Sequence, residues 1–355
     1  MAVTRIAILG AGGFVGNRAV EMFHLGGRRQ VVPVVHRAAA LALASRFELE
    51  GRVANALDEV AMARALSGCD AVVAAVAGPP ATIVGMIAPL AKAAERAEVR
   101  RIVYLSSQMV HGYAPEPGTV EGSPFPRARQ TAYSRAKIAA ERTLRVASAA
   151  AGIECVILRP GIVYGPRSRW TGGIADDLLA GDAFLLSGAA GVCNAVYVDN
   201  LVGAIDLAID HPEAAGAALF VNDAEALNWA DLVEPIAAAL GIERDAIARP
   251  TLAEALASGP SWTQRKVIPP AKRAFRLLPR GLAHSLRKVR PSAPAQADPP
   301  QPHFSHEMAL LQSSSVRLLG NGQAERLLGY RPAVAHRDAM RRSLAWLRFA
   351  GYPVA

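Results

Sequence analysis

The opening of the chain constrains the fold more than anything after it. Thr4-Arg5-Ile6-Ala7-Ile8-Leu9 is an apolar run, Gly10-Ala11-Gly12-Gly13-Phe14-Val15-Gly16 follows, a helical pattern continues to about His24, and a Val-rich run occupies residues 31–35. Strand, glycine turn, helix, strand is the signature of a βαβ unit. The alternation persists: strand candidates near 70–76, 101–106 and 154–158 are separated by Ala-rich helical stretches at 59–67, 81–97 and 131–150. Strands that read as continuous apolar runs belong to a parallel sheet covered by helices on both faces. The expectation is an α/β fold with a doubly wound parallel sheet.

After about Gly165 the alternation weakens. Ala195-Val196-Tyr197-Val198 then reads as a strand leading into a helix near 200–209, and a last helical segment follows Asp338. With 355 residues available, two unequal units are expected: residues 1–165 with a return segment at about 195–225, and a smaller lobe over 166–355. From Ala71 to Ala91 no residue is charged, long enough for a membrane span, but Gly78-Pro79-Pro80 divides it into a strand and a helix. The N-terminus has no cationic region followed by a long apolar run, so a secretory signal is not expected. Cys69, Cys155 and Cys193 are three and widely spaced, which supports neither a disulfide framework nor a zinc cluster and suits a reducing cytoplasm. The His residues show no metal-ligand spacing, so no metal is expected.

The glycine segment fits G-x-x-G-x-x-G through Gly10, Gly13 and Gly16, whereas Val15 stands where G-x-G-x-x-G needs its third glycine. Between a strand and a helix, such glycines permit a tight turn, close approach of backbone N–H groups to a pyrophosphate, and packing of helix on strand. Gly10, Gly13, Phe14, Val15 and Gly16 are therefore candidate dinucleotide contacts. The end of the second strand, Val34-Val35-His36-Arg37, lacks the acidic residue that would bind an NAD ribose. Arg37 there favours NADP(H), with NAD(H) as the other choice.

Tyr133-Ser134-Arg135-Ala136-Lys137 sits on a predicted helix, downstream of the strand end Tyr104-Leu105-Ser106-Ser107. The i, i+4 spacing puts Tyr133 and Lys137 on one face. A lysine ammonium beside a phenol favours phenolate, and a serine hydroxyl can hold a substrate oxygen while the tyrosine moves its proton.

On these residues the chain resembles the extended short-chain dehydrogenase/reductase family, of the NAD-dependent epimerase/dehydratase type. The resemblance continues through Leu158-Arg159-Pro160-Gly161-Ile162-Val163-Tyr164-Gly165-Pro166, Val196-Tyr197-Val198-Asp199-Asn200-Leu201 and Ala324-Glu325-Arg326-Leu327-Leu328-Gly329-Tyr330-Arg331-Pro332. It implies a Rossmann domain with a C-terminal substrate lobe. Aligning Val110-His111-Gly112 with the family's Val-Tyr-Gly makes Ser107, rather than Ser106, the catalytic serine, with Tyr133 as acid/base and Lys137 on the nicotinamide ribose. It further implies cofactor contacts at His36, Arg37, Asn55, Ala77, Pro160 and Ile162, with Asp58 also near the adenine. His111 is expected to fill a turn and Asp199 to serve a hydrogen-bonded junction.

Departures from the family's subgroups narrow the chemistry. Dehydratases of this type carry Asp-Glu after the catalytic hydroxyl residue, where Gln108 and Met109 stand here; neither can act as acid or base. Many sugar-nucleotide epimerases carry Asn at the position of Ile162, whose side chain cannot make that hydrogen bond. The segments look more like the 3β-hydroxysteroid dehydrogenase and dihydroflavonol reductase branches. The expected function is hydride transfer between nicotinamide and a secondary alcohol or ketone on a bulky apolar small molecule. The alternatives are a nucleotide-sugar epimerase and a non-catalytic dinucleotide-sensing protein. A homodimer through the two long helices is common in that family.

The charge is local. Lys and Arg exceed Asp and Glu by 39 to 30, and nine cations with no acid lie between Arg265 and Arg290, equal to the whole excess. Phe275, Leu277, Leu278, Leu282, Leu286 and Val289 are interspersed, so residues 269–290 suit peripheral contact with anionic membrane and equally an insertion helix capping the lobe. A Pro-rich connector follows at 291–303. Without aromatic interleaving or a nucleic-acid motif, the charge does not point to nucleic acid.

Overall fold

A computed structural model of the chain describes residues 5–126, 130–187, 191–258, 304–316 and 321–354. The basic segment, the Pro-rich connector and the membrane contact expected of 269–290 lie outside the described residues.

The elements follow the order β1 (Arg5–Leu9), α1 (Phe14–Gly26), β2 (Gln30–Val35), β3 (Arg52–Val53), α2 (Glu59–Leu66), β4 (Ala71–Ala74), α3 (Pro80–Gly85), α4 (Ile87–Arg96), β5 (Arg101–Leu105) and α5 (Ala132–Ala150). Then come β6 (Glu154–Pro160), β7 (Ile162–Tyr164), α6 (Arg169–Ala180), β8 (Ala195–Tyr197), α7 (Val198–Asp210), β9 (Ala218–Val221) and α8 (Trp229–Ala239). The last are α9 (Leu252–Ala257), α10 (His306–Gln312), α11 (Asn321–Leu328) and α12 (His336–Phe349). Seven strands form one sheet in the order β3-β2-β1-β4-β5-β6-β9, and every pairing in it is parallel. β7 and β8 make a separate parallel pair.

The continuous apolar strands are explained by what covers them. Ile6 and Ile8 face a core shared with α1, α7 and α11, while Ala7 and Leu9 face one shared with α2, α3, α4 and α5. Successive side chains point to opposite faces, so a sheet buried on both sides needs apolar residues at every position. A third core joins α6, α8 and α12 to the β7/β8 pair. The uncharged stretch 71–91 is a strand followed by helices, as its Gly-Pro-Pro break requires, and among the described residues no helix is long and apolar enough to cross a membrane. The single helical stretch expected at 81–97 is two helices that meet at Met86. Pro89, in the first turn of α4, cannot donate a backbone hydrogen bond, which makes a helix start there easier than a continuous helix. β3 and β7 are too short to be read from a pattern.

Strand order decides where a ligand can sit. From β1 the chain winds outward through β2 and β3, then crosses back to β4 on the other side of β1. Such a switch point opens a crevice at the carboxyl ends of the strands, and the segments after β1, β2, β3, β4, β5 and β6 all emerge along that edge.

Candidate active site

The glycine turn after β1 is shaped by contacts a side chain would obstruct. Gly10 has φ +89, and a Cβ there would lie 2.9 Å from the Ala75 carbonyl at the end of β4. A Cβ on Gly16 would lie 2.3 Å from the Gly10 carbonyl oxygen, so α1 and the strand end approach backbone to backbone. Gly13 caps α1 without a side-chain hydrogen bond, and the first turn carries no acidic residue. The first-turn N–H groups of Phe14, Val15 and Gly16 lack intrahelical partners by helix geometry. This cradle fits a dinucleotide diphosphate, with the positive end of the helix facing the anion.

The other expected cofactor contacts line the same edge. His36 and Arg37 are exposed just after β2, and no ion pair holds Arg37 among the described residues. Asn55 is exposed after β3, its Oδ1 accepting from the Leu57 amide at 3.1 Å. Asp58 is occupied as the cap of α2, accepting from Ala61 N at 3.0 Å. Ala77 is exposed beyond β4, Pro160 closes β6 as a buried residue, and Ile162 opens β7 half-buried.

The two adjacent serines after β5 separate cleanly. Ser106 is buried and its hydroxyl donates to Glu141 Oε1 in the interior. Ser107 is half-buried, its Oγ accepting from Met109 N at 3.2 Å, and its hydroxyl is near enough to the Tyr133 phenol to lower that phenol's pKa. Thr131 caps α5 through Ser134 N at 2.9 Å, which fixes the first turn that presents Tyr133. Although 38% of Tyr133 is exposed, burial pushes its phenol above the usual tyrosine range, while Ser107 and the Arg169 guanidinium pull it down. The expectation that Lys137 would lower this phenol is thereby corrected. The lysine ammonium donates elsewhere: to Leu105 O at 2.7 Å and to Tyr104 Oη at 3.3 Å. It lies 5.9 Å from the Tyr133 ring centroid, and burial lowers its own pKa to about 8 against the pull of Glu141.

Beneath the site Glu141 and Arg159 form a buried ion pair, Nη2 to Oε2 at 2.7 Å and Nε to Oε1 at 3.0 Å. Arg159 Nη1 reaches the Glu121 carbonyl at 2.7 Å and His111 Nε2 at 3.3 Å. His111 is buried in the turn 108–111 against Phe125 and Phe220. Burial first, and Arg159 second, lower its pKa to about 4, so it fills the turn as a neutral ring. Asp199 is a junction, pairing with Arg18 Nε at 2.7 Å and Arg342 Nη1 at 3.0 Å. Sequence reasoning missed Arg169, whose charge acts on the Tyr133 phenol, Tyr104 beside Lys137, and the Gln108 amide donating to Asn222 Oδ1 at 2.8 Å; none carries a local motif.

The family model for the NAD dependent epimerase/dehydratase family matches residues 6–222. The chain belongs to this family. That places it among NAD-dependent enzymes acting at a CH–OH carbon. A 3 beta-hydroxysteroid dehydrogenase/Delta 5-->4-isomerase of Mycobacterium tuberculosis is 29% identical over 261 residues, covering 67% of this chain and 70% of that one. A UDP-glucose 4-epimerase of Vibrio cholerae is 33% identical over 157 residues, covering 42% of this chain and only 47% of that one. A nucleoside-diphosphate-sugar epimerase structure from Pseudomonas aeruginosa superposes with TM-score 0.70 at 23% identity over 99% of each chain. A dTDP-glucose 4,6-dehydratase structure from Streptomyces venezuelae with NAD bound gives 0.69 at 21%, over 98% of this chain and 97% of that one. These two speak to the fold.

Proposed function

We propose that this protein is an NAD(P)-dependent oxidoreductase that interconverts a secondary alcohol and a ketone on a bulky, apolar small molecule. The observation that carries the reading is the convergence of Ser107 and Tyr133, with the Lys137 ammonium buried behind them, at the carboxyl edge of the sheet. A bound nicotinamide supplies the hydride donor or acceptor. Ser107 holds the substrate oxygen, and Tyr133 exchanges the proton on it. Burial keeps the Tyr133 phenol protonated, the form that delivers a proton to a reduced carbonyl. Lys137 holds the nicotinamide ribose from its seat on β5.

The apolar substrate class is supported by the side chains around this point. Met109, Tyr113, Ile162 and Trp170 are half-buried against the third core, and Gln108 and Met109 offer no acid or base for elimination. The longer match to the mycobacterial hydroxysteroid dehydrogenase agrees with this class. Arg37, exposed at the end of β2, supports NADP(H) through its charge toward a 2′-phosphate. The match to the Vibrio epimerase favours a second reading, a nucleotide-sugar epimerase, which would use Ser107, Tyr133 and Lys137 on a retained NAD.

Denaturing the purified protein and identifying any released nucleotide by mass separates the two. Empty protein that binds NADPH more tightly than NADH and reduces steroid-like ketones supports the first reading. Stoichiometric NAD together with turnover of UDP-glucose overturns it, and the role of Arg37 with it. In either case Tyr133→Phe is expected to abolish turnover while cofactor affinity is kept.

A further inference from the structure

Lys137 is a buried ammonium whose nearest carboxylate is already engaged. Glu141 lies one turn along α5, where an i, i+4 ion pair would ordinarily form. Its Oε1 takes Arg159 Nε and the Ser106 hydroxyl, and its Oε2 takes Arg159 Nη2. The lysine therefore turns to β5. Of its three donors, one meets Leu105 O at 2.7 Å and one meets Tyr104 Oη at 3.3 Å. The ammonium also stands 4.8 Å from the Tyr104 ring centroid, nearer than the 5.9 Å to Tyr133. Tyr104 is 1% exposed within a core whose other members on β5 and β6 include Ile102 and Ile157. Packing there asks for a ring or an aliphatic chain, not for a hydroxyl, and a buried hydroxyl without a partner is costly.

We propose that Tyr104 is a positioning residue for Lys137: its hydroxyl and ring face hold the ammonium in place on β5, leaving the third N–H free for the nicotinamide ribose. The inference rests on the role of Lys137 given above. Among the described residues, the titratable and charged groups around the ammonium are Tyr133 and Glu141 on its own helix and Tyr104 on β5. Beyond Glu141 lie Arg159 on β6 and His111 on the 108–111 turn.

The test is the pH dependence of NADPH and NADH affinity, read by nucleotide fluorescence, in the full chain and in Tyr104→Phe and Lys137→Met. In the unsubstituted protein, affinity is expected to fall as pH rises through about 8, where Lys137 loses its proton. Tyr104→Phe removes one acceptor of the ammonium, so the bend is expected at lower pH, with a several-fold loss of affinity on its alkaline side and a melting temperature close to the parent. Lys137→Met is expected to lose both the bend and the affinity. If Tyr104→Phe keeps the parent bend while Lys137→Met loses it, Tyr104 only packs and the proposal fails with the role of Lys137 intact. If Lys137→Met keeps parent affinity and bend, the role of Lys137 fails, and this proposal falls with it. A Tyr104→Phe protein that melts early with an unmoved bend counts against the proposal in the same way.

Discussion

Two buried carboxylates, Glu141 under the candidate site and Asp223 against β8, are stabilised by opposite means. Glu141 is 1% exposed and faces a guanidinium that is itself 3% exposed. Asp223, also 1% exposed, faces neutral donors. Its Oδ1 accepts from Tyr197 N at 2.9 Å and Asn200 Nδ2, and its Oδ2 accepts from the Tyr164 hydroxyl at 2.8 Å. Burial pushes Asp223 above the usual carboxyl range even though these donors pull it down. The contrast separates a region whose charge must remain paired from one whose charge can be neutralised in place. Removing half of a buried pair strands the other half, whereas a carboxyl among neutral donors can take up a proton and keep most of its contacts.

The largest expected effect follows directly. Arg159→Met removes the guanidinium partner of Glu141 in the interior, and should cost about 3–5 kcal/mol in denaturant-induced unfolding. A loss under about 1 kcal/mol would mean that Lys137, one turn away on α5, takes over the carboxylate, and the contrast would disappear.

His111, on the same network, gives the next effect. Its pKa is lowered from 6.5 to about 4, so between those values the unfolded chain binds more protons and stability falls as pH drops. The loss should approach about 3 kcal/mol by pH 4, measured as unfolding free energy against pH, and His111→Gln should flatten that slope.

Asp223→Asn should be mild, costing roughly 1 kcal/mol or less, because the Tyr164 hydroxyl can turn its proton to His336 Nδ1 at 3.0 Å and accept from the new amide. The pH sign is opposite to that of His111. A carboxyl whose folded pKa is raised contributes its full stability below the ordinary value of 3.8 and loses it as pH rises through the folded value. The native chain should therefore gain on Asp223→Asn as pH is lowered toward that window. The smallest effect is expected at Arg342→Ala. Asp199 keeps Arg18 at 2.7 Å and Arg342 is 47% exposed, so the cost should be about 0.5 kcal/mol and shrink with added salt.

The two regions were also unequally legible. Gly10, Gly13 and Gly16 declare themselves because a strand, a turn and a helix are contiguous and each glycine has a local steric reason. Tyr133 and Lys137 do so because four residues make one helical turn. Ser107 could be told from Ser106 only through resemblance; in the structure the Ser106 hydroxyl turns inward to Glu141 while Ser107 acts on the Tyr133 phenol. Asp223 carried no signal, since its partners lie at 164, 197 and 200 and its network extends to His336, distances at which no periodicity speaks.

What the sequence determined alone was the sheet, its parallel sense and the edge where a dinucleotide can bind, because period-two burial, helical faces and glycine turns are written within a few residues of one another. Only the tertiary structure decided the state of the charges. Whether a lysine meets a glutamate or a tyrosine depends on which arginine reached the glutamate first. In this chain Arg159, from a strand that follows the helix, settled the surroundings of Lys137 by taking both oxygens of Glu141. Electrostatics in a dry interior is set by proximity across the fold, and proximity across the fold is what a linear pattern does not contain.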